Sequence, residues 1–143
     1  RARVAHFAPF AASLDATAVR VRVNGTEVLS GVRYGDFSGL LNLPGQGAYR
    51  VEVFPGTASS PAITQTVELD GGQDHIIAAV GNGLTQPLGL LSTTEDPAPA
   101  ANGRYSLRIV HAAPFAATLD ATRVSIRSDG GAVIAGLSSV PFG

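Results

Sequence analysis

The feature that most restricts the fold is an internal repeat. Arg3-Val-Ala-His-Phe-Ala-Pro-Phe-Ala-Ala-Ser-Leu-Asp-Ala-Thr17 returns as Arg108-Ile-Val-His-Ala-Ala-Pro-Phe-Ala-Ala-Thr-Leu-Asp-Ala-Thr122, a gapless offset of 105 residues. The offset continues through Val19/Val124, Arg22/Arg127, Gly25/Gly130, Val28/Val133, Gly31/Gly136 and Phe37/Phe142, with about half of the aligned positions identical. A period of this length is a domain rather than a solenoid turn. In 143 residues the first copy is complete (1–93), whereas the second (104–143) holds only its first three strands. Between them Thr94–Gly103, TEDPAPAANG, reads as a short, semi-extended Pro/Ala linker.

Within the first copy the apolar residues alternate. Val19, Val21 and Val23 oppose Arg20 and Arg22, and Asn24-Gly25 follows at once. That dipeptide is a strong hairpin signal, because both residues tolerate positive φ. Strands are expected at Ala18–Val23, Thr26–Val32, Phe37–Leu43, Ala48–Phe54, Ile63–Leu69, His75–Val80 and Leu88–Thr93. His75–Val80 is apolar on both faces and should be central. In the second copy Tyr105–Val110, Thr122–Arg127 and Ala132–Leu137 are strand-like. Short strands about every ten residues, with 17 Gly and 9 Pro between them, specify an all-β fold. The expected architecture is an immunoglobulin-like antiparallel β-sandwich with a partial second β repeat. Val19, Val21, Tyr49, Val51, Val67, Ile76 and Val80 should form its core.

Composition narrows the function. The net charge is −1 with no basic run, so nucleic acid has no electrostatic purchase. No apolar stretch approaches the roughly 20 residues of a membrane-spanning helix. Cys is absent, which removes disulfides and thiolate metal sites. Met is absent too, so Arg1 is not a translational start, and a removed signal peptide or a longer parent chain is expected. All ten basic residues are Arg, which we read as coding bias.

Nothing in the sequence makes a catalytic constellation: no Gly-x-Ser-x-Gly, and no Ser beside a His in an elbow context. Asp36, Asp70, Asp74, Asp96 and Asp129 are scattered over turns, where Asp is ordinary turn chemistry. Asp70-Gly-Gly-Gln-Asp74 has too few oxygens for calcium and reads as a hairpin turn. Asn24-Gly25-Thr26 fits a glycosylation acceptor but is not repeated, Ser128-Asp129-Gly130 standing in its place. Gly81-Asn82-Gly83 is a loop without the Lys and helix start of a phosphate cradle.

His6 and His111 are equivalent, and parity puts His111 on the core side with Tyr105, Leu107 and Ile109. A metal ligand or general base paired with Asp15 or Asp120 is one reading. The preferred one is a half-buried ring whose nitrogens bond the Pro9–Asp15 loop backbone or that Asp, so that His6, Asp15, His111 and Asp120 fix their loops; one His per repeat cannot hold a metal without partners. Phe10 and Phe115 lie in loops, either packed beneath them or offered as interface anchors. With no metal, cofactor or catalytic residue expected, the candidate interface is Phe10, Phe115, Leu107, Ile109, Val124 and Ile126.

The repeated residues resemble the domain-of-unknown-function 4397 family. The opening pattern is Arg3, Val4, His6, Pro9, Ala11, Leu14 and Asp15; the V-x-V-N-G hairpin is Val21–Gly25; L-P-G-x-G-x-Y-x-V-E-V runs over Leu43–Val53, and P-L-G-L-L over Pro87–Leu91. The resemblance covers the first copy and the available part of the second, and departs at Phe10 and Phe115, where small or acidic residues are common. It implies tandem β-sandwich modules in secreted or cell-surface proteins of bacteria or archaea, and no known activity. The expectation is a non-catalytic extracellular structural or assembly module. Three strands bury too little to stand alone, so another copy of the chain is expected to complete the half-module by strand addition and build a filament, unless residues beyond Gly143 do so. The alternative is a glycan- or protein-binding module of a larger secreted protein.

Overall fold

Alternation decides which side chains meet, and it does so over seven strands. The computed structural model describes residues 1–95, 102–103 and 107–143. The strands are β1 (Ala2–His6), β2 (Val19–Val23), β3 (Thr26–Val32), β4 (Gly47–Pro55), β5 (Ile63–Leu69), β6 (Asp74–Val80) and β7 (Gly89–Glu95). They form two sheets, β3-β2-β4-β5 and β1-β6-β7, packed as a β-sandwich. Every strand pair is antiparallel except β1 and β6, which run parallel from Ala2/His75 to His6/Ala79. Parallel pairing leaves no mark on a two-residue period, so alternation does not distinguish it.

Between the sheets lie Val19, Val21, Val23, Tyr49, Val51, Val53, Val67, Ile77 and Ala79, with Val4 from β1. The outer face of the four-stranded sheet carries the residues of opposite parity. There the guanidinium groups of Arg20 and Arg22 lie 5.3 and 4.8 Å from the ring centre of Phe54, covering a buried aromatic with charge. Asn24 and Gly25 take φ of 49° and 82°, the conformation a two-residue hairpin requires. The Asn24 carboxamide oxygen also accepts the Arg50 N–H at 2.9 Å, joining the turn to β4.

Three sequence expectations need correcting. Phe37–Leu43 is not a regular strand but an irregular run along the free edge of β1, with single bridges at Phe37 and Leu41. Ser38 explains the break: its hydroxyl accepts the Val4 N–H at 2.9 Å, placing a side chain where a ladder carbonyl would be. Asp70–Gln73 does not close a hairpin, because β5 and β6 belong to different sheets and the segment arches between them. His75, buried beneath the arch, accepts the Asp70 N–H at 3.1 Å and holds it. Finally, Ile76 and Val80 lie outside the intersheet core. β6 is covered on both faces, and Ile76, Ala78 and Val80 point outward into a second cluster with Ala5, Phe7 and Leu91.

That second cluster is closed by Ala112 and Phe142 of the second copy. The 107–143 segment has no regular strand, though a hairpin survives through Val124/Val140 and Arg127/Val133. Thr94 and Glu95, expected in the linker, end β7; residues 96–101 of that linker and Tyr105 of the expected strand lie outside the described residues.

The unequal covering of the two copies makes a prediction. Val21 is 1% exposed while its counterpart Ile126 is only half-buried. Val21→Ala should cost about 2 kcal/mol in denaturant unfolding, and Ile126→Ala under about 1 kcal/mol, although it removes more carbon. Equal costs would mean that the second copy is as well covered as the first.

Candidate functional site

Each repeat builds the same clamp. In the first, β1 ends at His6, which is 1% exposed. Its Nε2–H donates to the Thr17 carbonyl at 2.9 Å, and Nδ1 accepts the Ala8 N–H at 3.2 Å, which fixes the neutral Nε2–H tautomer. The ring thus ties together the two ends of the loop it spans. The Thr17 hydroxyl donates to the Leu14 carbonyl at 2.5 Å and accepts the Tyr34 N–H at 3.0 Å, closing the 3₁₀ turn Asp15–Thr17. Phe10 stacks on the imidazole with ring centres 5.7 Å apart and packs against the core.

The second copy repeats this contact by contact. His111 Nε2–H donates to the Thr122 carbonyl at 2.7 Å, Nδ1 accepts the Ala113 N–H at 3.4 Å, and Thr122 Oγ1 donates to the Leu119 carbonyl at 2.6 Å. Phe115 stacks on His111 at 5.6 Å but is 57% exposed. The equivalent of the Tyr34 bond comes from Phe142, whose N–H reaches Thr122 Oγ1 at 2.9 Å. Gly35 N–H bonds the His6 carbonyl, and Gly143 N–H bonds that of His111. The structural partners are therefore Val32/Val140, Tyr34/Phe142 and Gly35/Gly143, an offset of 108. The gapless pairing Phe37/Phe142 does not hold in space. The second hairpin has a three-residue Asp129–Gly131 turn in place of Asn24-Gly25 and further irregularity near Leu137, which together absorb the three extra residues.

Asp15 and Asp120 bond neither histidine. Asp15 pairs with Arg33 at 3.4 Å and Asp120 with Arg123 at 2.9 Å, and both carboxylates are more than four-fifths exposed. Exposed pairs of this kind contribute about 0–1 kcal/mol. The histidines' partners are instead the backbones of Thr17 and Thr122, which are 3% and 0% exposed. The sequence contained the signal, an identical Leu-Asp-Ala-Thr at the same distance from each His. Among the described residues no three His, Asp or Glu side chains group closely enough to hold a metal.

What the clamp presents is a loop, and in the second copy the loop is docked. The carbonyl of Pro114 accepts from the Thr85 hydroxyl and from Asn82 Nδ2 at 3.3 Å, and that of Ala116 accepts from Gln86 Nε2 at 2.7 Å. All three donors belong to the β6–β7 loop of the first copy. Asn82 shapes that loop: its Oδ1 accepts the N–H groups of Leu84, Thr85 and Gln86 at 2.9–3.2 Å. Gly81, at φ +85°, is irreplaceable there, because a Cβ would lie 2.0 Å from the Pro87 carbonyl oxygen. Gln86 is 5% exposed, a buried side chain whose amide is satisfied across the joint. Asn82, Thr85 and Gln86 were not singled out from sequence; the one cue was a Gly-Asn-Gly with nothing to bind.

The other candidate interface residues divide. Leu107 is 74% exposed, and Ile109, Val124 and Ile126 are half-buried, whereas their counterparts Ala2, Val4, Val19 and Val21 are between 0 and 6% exposed. A hollow of about 370 Å³ opens on the outer face of the β1-β6-β7 sheet, lined by Phe7, Phe37, Ile76, Leu91, Arg108 and Val110 among others. Phe7 and Phe37 meet edge to face there at 5.3 Å. No helix among the described residues is long and apolar enough to cross a membrane.

Two packed sheets, a buried histidine at the end of the first strand and a repeated opening define a β-sandwich module. The chain belongs to the family described as a domain of unknown function, DUF4397, whose model matches residues 2–122. That span takes in the seven strands, the first clamp and the second clamp as far as Thr122. No curated protein and no solved structure matches the chain.

The buried imidazole gives the clamp a pH dependence. Burial, the largest influence, holds the His6 pKa below its ordinary 6.5, against the opposing effects of the Thr17 carbonyl and the Asp36 charge. The unfolded chain therefore takes up the proton at higher pH than the folded one. The stability contributed by neutral His6 is complete above 6.5 and is lost as pH falls below that value toward the depressed folded pKa. Denaturant midpoints measured from pH 7.5 to 5 should fall, and His6→Gln should flatten part of that fall while lowering stability at pH 7.5. An unchanged slope in His6→Gln would contradict the assignment.

Proposed function

We propose that this chain is a non-catalytic structural module of a secreted or cell-surface protein, working as one unit of a tandem β-sandwich array. A single observation carries the reading: the loop held by the second repeat's histidine is seated on the first repeat's β6–β7 loop through the buried Gln86 and the half-buried Asn82 and Thr85. A linker alone would join modules loosely, and two modules sharing a small interface move relative to one another by default. Side-chain bonds to defined carbonyls fix an orientation, which is what a load-bearing or spacing array needs. The family match, running through the second clamp, is consistent with a unit made of one sandwich and the opening of the next.

The absence of cysteine makes the joint easy to test. Leu84 and Ala117 flank it and are both exposed. In Leu84→Cys/Ala117→Cys a short bismaleimide should close an intramolecular crosslink rapidly and in high yield, and Gly81→Val should abolish it. A yield no better than that of random surface pairs would contradict the docked joint.

A second reading, a module that binds a protein or glycan, is favoured by one feature, the apolar hollow beside Phe7 and Phe37. Its walls suit an apolar side chain of a partner protein better than the hydroxyls of a sugar. Ile76→Glu should remove binding to such a partner while leaving the intersheet core intact; undiminished binding would dismiss this reading.

A further inference from the structure

The first repeat carries the same loop as the second, and among the described residues nothing is seated on it. Pro9-Phe10-Ala11-Ala12 is identical to Pro114-Phe115-Ala116-Ala117 and is held by the same clamp. Yet the carbonyls of Pro9 and Ala11 accept no hydrogen bond from a described residue, while those of Pro114 and Ala116 are taken by Asn82, Thr85 and Gln86. The described residues therefore hold two copies of a ligand loop and one receiving loop, occupied from within. We propose that the Pro9–Ala12 loop is a docking site for the Gly81–Gln86 loop of a second copy of this chain, and that the 107–143 segment caps the receiving loop until it is displaced.

The occupant follows from the internal joint. The receiving loop binds Pro114–Ala116 through backbone carbonyls, and it reads no side chain there that differs in Pro9–Ala11. What decides between them is concentration. The internal loop is tethered, and a short tether gives an effective concentration in the millimolar range. The external loop must compete with that, so association between chains is weakened by the fraction of time the receiving loop is free. Displacing the cap removes this handicap. The resulting contact joins the receiving end of one sandwich to the presenting end of the next. Such a contact is head-to-tail, and it continues from chain to chain unless the rotation closes a ring.

This inference rests on the joint described under Proposed function, and the test separates the two. The main core draws only on residues 2–90, so a chain ended at Glu95 is expected to keep its sandwich while lacking the cap, which cooperative denaturant unfolding checks first. In that 1–95 chain, a Leu84→Cys variant mixed with an Ala12→Cys variant should crosslink between molecules through a short bismaleimide. Sedimentation velocity should show concentration-dependent association at least about tenfold stronger than in the full chain. Gln86→Ala should weaken it by about tenfold. Phe142→Asp in the full chain, which puts a charge into the cap's apolar contact with Ala78 and Val80, should move the full chain toward the same behaviour. A 1–95 chain that stays folded and monomeric up to about 1 mM overturns the proposal. So does association that forms without the 84–12 crosslink or is indifferent to Gln86→Ala. If the internal 84–117 crosslink forms while the 84–12 crosslink does not, this inference alone fails; if neither forms, the joint itself is wrong.

Discussion

The structure depends on a buried imidazole bonded to backbone on both sides. A neutral histidine can accept at one ring nitrogen and donate at the other, so it can close a loop whose two ends offer one N–H and one C=O. His6 does this with Ala8 and Thr17, and His111 does it with Ala113 and Thr122. Either backbone group, buried without a partner, would cost about 1–3 kcal/mol. The threonine adds its hydroxyl, which draws in the chain after the first hairpin at Tyr34 or Phe142. Three separate stretches of each repeat converge on one side chain and its neighbour.

The second repeat shows that the clamp does not require a finished sandwich. Its described residues keep a counterpart of the β2–β3 hairpin but none of β4–β7, yet its loop, turn and closing residues take the same bonds. Part of the missing cover is supplied by the first repeat, whose outer β1-β6-β7 face meets Ala112 and Phe142, and whose β6–β7 loop holds Pro114 and Ala116. The half-module is thus seated in part on its own first repeat.

Much of the fold was legible because its determinants are local. Alternating valines flanked by arginines mark β2, Asn24-Gly25 marks its hairpin, and the apolar run at Ile76–Val80 marks a strand buried on both faces. What was hidden is relational. Periodicity does not say which sheet a strand joins, so the Asp70–Gln73 arch reads as a hairpin. Nor does it say which of two buried faces looks inward, so Ile76 and Val80 were placed in the wrong cluster. Identity in sequence does not guarantee equivalence in space: Val140-Pro-Phe-Gly143 takes the place of Val32-Arg-Tyr-Gly35, and Phe142 is not the partner of Phe37. At the site, the two histidines stand out by repetition. Of the partners offered, loop backbone or the nearby Asp, the rings take backbone, but just outside Pro9–Asp15, at Ala8 and Thr17 and at Ala113 and Thr122; a backbone carbonyl has no letter in a sequence to mark it.

The clamp's chemistry has one direct readout. Long-range ¹H–¹⁵N spectra of the imidazole nitrogens at neutral pH report which nitrogen carries the proton. His6 and His111 should each show a single neutral Nε2–H tautomer with a hydrogen-bonded Nδ1 acceptor, alike in both repeats despite the unequal cover. An Nδ1–H tautomer at either residue, or averaging between tautomers at His111, would contradict the account.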